Sequence, residues 1–87
     1  MSWDEVSYKG MVAHAKTVKG PGNTLFIATI IPYQVRVGKM AYVKKCDNIL
    51  EYRGPTGRKS IIFRGESLTI TQGKRDLERH INETLSE

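Results

Sequence analysis

Residues 6–46 contain seven lysines and arginines (Lys9, Lys16, Lys19, Arg36, Lys39, Lys44 and Lys45) and no aspartate or glutamate. Inside this basic run lies the most apolar stretch of the chain, Leu25-Phe26-Ile27-Ala28-Thr29-Ile30-Ile31. One segment must therefore supply both the core and the positive pole. A sheet meets both demands if one face is buried and the other is basic. Such a surface suits a polyanion or an acidic protein as its partner.

At 87 residues the chain is one small domain, residues 1–87, with room for a single modest core. Chains this short sit close to the stability limit, and pairing with a second copy is a common remedy, so a homodimer is among the expectations. The net charge of +5 is unevenly spread: residues 1–5 carry −2, residues 6–46 +7, residues 47–65 +2 and residues 66–87 −2. That asymmetry points to a basic patch rather than to solubility alone. Cys46 is the only cysteine, which rules out an intrachain disulfide and a cysteine-rich metal cluster. A reducing, cytoplasmic compartment is expected. Residues 1–5 are acidic and lack a signal-peptide apolar core, and the longest apolar run is seven residues, too short to span a membrane. No membrane partner is expected.

Along the chain, Ser2 and Glu5 fit a capping box, and Tyr8, Met11, Val12, Ala15 and Val18 fall at helical spacing. The competing reading is a short helical turn followed by a strand over residues 11–18, with a hairpin through Lys19-Gly20-Pro21-Gly22-Asn23. Both stay open. Residues 25–31 read as a central strand covered on both faces, with Pro32 as a bend or break. Residues 33–37 alternate, with Tyr33, Val35 and Val37 on one face and Gln34 and Arg36 on the other. Residues 40–46 fit a short helix or a strand. Residues 49–53 and 60–64 predict a hairpin through residues 54–59, with Leu50, Tyr52, Ile61 and Phe63 inward. Gly65-Glu66 then turns the chain into a further short strand over residues 68–71. From Lys74 the spacing predicts a helix whose seam is Leu77, Ile81 and Leu85. The fold class expected is α+β, a small antiparallel sheet of about four to six strands, open or partly closed into a barrel, with this C-terminal helix on it or in a dimer contact.

The candidate nucleic-acid contacts are Lys16, Lys19, Arg36, Lys39, Lys44, Lys45, Arg53, Arg58, Lys59, Arg64, Lys74 and Arg75. Cations grouped on one exterior would neutralise phosphates and release counterions, so binding would fall with salt. Tyr33, Tyr42 and Tyr52 lie close in sequence to Arg36, Lys44 and Arg53 and could stack on unpaired bases, although Tyr33 and Tyr52 fall on faces read as buried. The loop Gly54-Pro55-Thr56-Gly57-Arg58-Lys59-Ser60 approaches a phosphate-binding loop, but only two residues separate its glycines and Arg58 stands where a glycine is required. It reads as a hairpin turn with cations at its tip. Gly73-Lys74-Arg75 offers a second phosphate site if the helix starts there, because a helix start presents free amide hydrogens. His14 and His80 have no cysteine or carboxylate at metal-ligand spacing, and neither forms a recognisable triad with Cys46 or a serine. No metal, no cofactor and no enzymatic activity are expected.

In size and texture the chain resembles small barrel domains of the OB or SH3-like kind, whose members bind RNA. It carries no RRM aromatic signature, no KH-type GxxG loop and no zinc-finger spacing. The leading expectation is non-catalytic nucleic-acid binding, RNA ahead of DNA, through a basic sheet face and hairpin loops with little sequence preference. RNA leads because no helix here looks suited to a major groove. The alternative is a small interaction or inhibitor protein, for example a virus-encoded antagonist, docking on an acidic surface of a host enzyme or ribonucleoprotein.

Overall fold

The computed structural model describes residues 3–86. Five antiparallel strands form one open sheet in sequence order: β1 (Asp4–Tyr8), β2 (Met11–Lys19), β3 (Leu25–Arg36), β4 (Tyr42–Arg53) and β5 (Lys59–Ser67), followed by the helix α1 (Ile70–Leu85). The class is the α+β sheet-and-helix fold that the sequence predicts. The molecule is elongated, 51 × 25 × 22 Å, because β3 and β4 are each 12 residues long.

One face of the sheet carries the core. Phe26, Ala28 and Ile30 of β3 and Cys46 and Leu50 of β4 pack against Leu77 and Ile81 of α1. Burying each large apolar side chain in this layer contributes roughly 1.5–3 kcal/mol. The seam of α1 keeps the predicted spacing at Leu77 and Ile81, while Leu85 at its end is exposed. Gly73 is buried at the helix–sheet contact, where a β-carbon would stand 2.5 Å from Asn48 Oδ1. A side chain at this position would push α1 off the sheet.

Several expectations are corrected. No helix begins near residue 5, since residues 4–8 are β1; Ser2, the proposed N-cap, lies outside the described residues. Lys9 (φ 49°) and Gly10 (φ 78°) form a two-residue turn with both φ positive, the geometry that matches the twist of a hairpin. Pro32 does not break its strand. The β2–β3 ladder ends at Ile30, so Pro32 sits where β3 loses that neighbour, an edge position that tolerates a missing amide hydrogen. Of the two readings left open for residues 40–46 the strand holds: β4 starts at Tyr42, and Met40 lies in the exposed turn before it. A bulge opposite Leu50 and Glu51 leaves Phe63 inward but puts Ile61, paired with Glu51, on the other face. Gly65-Glu66 is not a turn, and residues 68–71 are not a strand. β5 continues to Ser67, and Thr69 caps α1 by accepting a hydrogen bond from Gln72 N.

Candidate nucleic-acid interface

The register shows which cations share a surface. β2, β3, β4 and β5 align Lys19, Leu25, Arg53 and Lys59 in one row at one end of the sheet. The two Gly-Pro hairpins thus lie side by side, with Arg58 in the turn between Arg53 and Lys59. The Gly54 to Ser60 loop is a turn, closed by hydrogen bonds from Gly54 N to Arg58 O (2.9 Å) and from Gly57 N to Gly54 O (3.0 Å). Gly57, at φ 86°, supplies the left-handed residue it needs.

At the opposite end β3 and β4 run on past their neighbours. Beyond Pro32 and Cys46 they pair only with each other, as Tyr33–Lys45, Gln34–Lys44, Val35–Val43 and Arg36–Tyr42. This two-stranded ribbon carries Arg36, Lys39, Lys44 and Lys45, and no acid occurs from residue 32 to residue 46. Arg36 shapes its tip, donating from Nε to Gly38 O at 2.9 Å and from Nη2 to Lys39 O at 2.7 Å. Lys9, in the β1–β2 turn at the same end of the sheet, adds a fifth cation that was not among the candidates. Only register reveals it, because the two turns are far apart in sequence.

Tyr42 is 60% exposed on the ribbon and stands two pairs along from Lys44 and Gln34, on the same face as Lys44. The other two tyrosines named as stacking candidates, Tyr33 and Tyr52, are occupied. Tyr52 packs on Phe26 with ring centroids 5.3 Å apart, and the Tyr33 hydroxyl donates to Glu66 Oε1 at 3.4 Å. Tyr33 is held above the usual tyrosine pKa first by desolvation and then by the negative charges of Glu66 and Asp47. At the root of the ribbon is a groove of about 690 Å³ lined by Val12, Pro32, Cys46, Leu68 and Ile70, with Lys44 and Lys45 on its wall. Burial raises the Cys46 thiol pKa, so this cysteine behaves as a small apolar group.

The remaining candidates lie elsewhere. Lys16 is half-buried on the helix side of the sheet and pairs with Glu78 at 3.3 Å. Glu78 also accepts from Trp3 Nε1 at 2.8 Å. The Trp3 bond first, and then Lys16 and Lys74, hold Glu78 below the usual glutamate pKa against an opposing desolvation. Lys74 Nζ sits 5.9 Å from the Trp3 ring, and Arg75 is exposed on the outer face of α1. The phosphate cradle expected at Gly73-Lys74-Arg75 is absent: α1 starts at Ile70, so these residues lie beyond its first three amides. Arg64 lies on the edge strand β5, on the face opposite α1, paired with Ile49 one row from Asp47 and Glu66. His80 stacks on Phe63 with ring centroids 3.8 Å apart, a packing role. Among the described residues there is no group of three or more His, Cys, Asp or Glu placed to hold a metal, and no helix long and apolar enough to cross a membrane. No protein-family model, curated protein or solved structure matches the chain.

Proposed function

We propose that this chain binds nucleic acid without catalysing a reaction, gripping the backbone with the β3–β4 ribbon. The observation that carries this reading is the ribbon itself: four cations on a projecting hairpin free of acids, with Lys9 beside it. Fixed on one narrow element, these charges meet several phosphates together, and the released counterions drive binding with little regard to sequence. Tyr42 favours single-stranded RNA, since an exposed ring next to a lysine stacks on unpaired bases. Duplex DNA is the competitor, because a two-stranded ribbon also fits the B-form major groove.

The test is fluorescence anisotropy with labelled single-stranded RNA, duplex RNA and duplex DNA over a salt series. Replacing two exposed ribbon cations, Lys39→Glu with Lys44→Glu, should flatten the dependence of log affinity on log salt by about 1.4 for single strands. Tyr42→Ala should cost about 1–3 kcal/mol for single strands and little for duplexes. Unchanged affinity in both variants would remove the ribbon from the interaction. Indifference of the wild-type protein to all three probes would instead direct the ribbon to an acidic protein surface.

A further inference from the structure

The central strand β3 is apolar on both sides, yet only one side is covered. Phe26, Ala28 and Ile30 lie under α1, whereas Leu25, Ile27, Thr29 and Ile31 face the other way and remain partly exposed. Around them Val6, Ile49 and Ile61 (57% exposed) continue the same surface. An antiparallel sheet with one solvated face ordinarily places polar side chains there. Among the described residues no helix or second sheet lies over this face, and Ala13 of β2, paired with Val6, is the one residue on it that is fully buried.

We propose that a second copy of this chain covers it, sheet stacked on sheet, about a two-fold axis that lies between the sheets and crosses the strands. The charges on the face select both the occupant and the axis. Asp47 is paired directly with Glu66, and two rows beyond the middle Arg53 is paired directly with Lys59. Like charges opposite each other across a ladder are unfavourable, and none of the four has an ion-pair partner among the described residues. The acidic pair and the basic pair lie on either side of the level of Leu50 and Ala28. A two-fold axis at that level reverses strand direction and keeps strand order. It sets Arg53 over the partner subunit's Asp47 and Lys59 over the partner subunit's Glu66, twice by symmetry. Glu51 then comes beside the partner subunit's Arg64, and the isoleucines of β3, β4 and β5 fill the centre. The alternative axis, along the strands between β4 and β5, would set acid on acid and base on base. Strands about 4.8 Å apart and rows about 7 Å apart give a shared face of roughly 500 Å² in projection, and side-chain relief raises this toward the ~800 Å² per partner of a standard interface. The ribbon ends stay outside the overlap, one at each end of the pair.

Sedimentation equilibrium tests this. The wild-type protein should run at about twice the 9.8 kDa of one chain. Arg53→Asp with Lys59→Glu makes both ends of the face acidic, and Asp47→Arg with Glu66→Lys makes both ends basic. Each variant alone should be monomeric, with the circular dichroism of the wild type, and an equimolar mixture of the two should recover the dimer mass. Lys39→Glu with Lys44→Glu, off this face, should stay dimeric. A wild-type protein that is monomeric at every concentration would overturn the proposal and assign the face to a different partner. Variants that remain dimeric alone, or fail to pair when mixed, would overturn it equally.

Discussion

Asn48 is the residue whose role only the three-dimensional structure reveals. It is almost wholly buried, and neither atom of its side-chain amide has a hydrogen-bond partner among the described residues. It lies under Gly73, the point of closest approach between α1 and the sheet. Gly73→Ala would ordinarily favour a helix by about 0.5–1 kcal/mol. Here the added carbon meets the amide, and overpacking of this kind costs about 1–3 kcal/mol. The expected outcome in urea denaturation is a net loss that largely disappears in the Asn48→Ala background, a coupling that independent sites would not show. Glu78 supports a second prediction. Its folded pKa lies below its unfolded value, so the stability it contributes is complete above the ordinary glutamate range near pH ~4.3 and is lost as pH falls through the depressed value. Trp3, the only tryptophan, bonds to that carboxylate, and its emission should shift over the same acidic window. In Glu78→Gln that shift should vanish.

At the scale of elements, the strands with clean alternation or a continuous apolar run were legible from sequence: residues 25–31 and 49–53 lie in β3 and β4, and so does the predicted strand 33–37 except for its last residue. The errors fall at junctions, where one hydrogen bond decides between two conformations of similar propensity. Thr69 is β-branched and reads as strand, but its hydroxyl accepts from Gln72 N at 3.1 Å and starts a helix. Ile61 reads as inward until the bulge beside it shifts the alternation. Residues 6–18 satisfied helical and strand spacing alike, and the Lys9-Gly10 turn settled the choice. Because Gly10 holds φ 78° with no neighbour within 4 Å of an added β-carbon, Gly10→Ala is penalised by backbone conformation alone. It should lower stability by about 1–2 kcal/mol, measured by thermal or urea unfolding. A loss well below that would show that the turn adapts.

Over the whole molecule, the acid-free run from residue 6 to residue 46 does not become one patch. Antiparallel pairing sends its cations to both ends of a 51 Å body and commits Lys16 to Glu78 between them. The proposed dimer accounts for this division. In that dimer Arg53 and Lys59, at the Gly-Pro hairpin end, meet a second copy, and the cations on the ribbon stay available for phosphates. The variants used to test the two proposals differ accordingly, since Lys39 and Lys44 lie off the stacked face while Arg53 and Lys59 lie on it.

Composition and periodicity alone determined that a basic, apolar middle would form a sheet and that the chain beyond Lys74 would be a helix with an apolar seam through Leu77 and Ile81. These properties follow from side chains a few positions apart, which is the range over which spacing carries information. Which cations share a surface, and which apolar face is left without cover, was decided only when strands distant in sequence took their register. A shift of one residue in that register would have moved every charge to the opposite side.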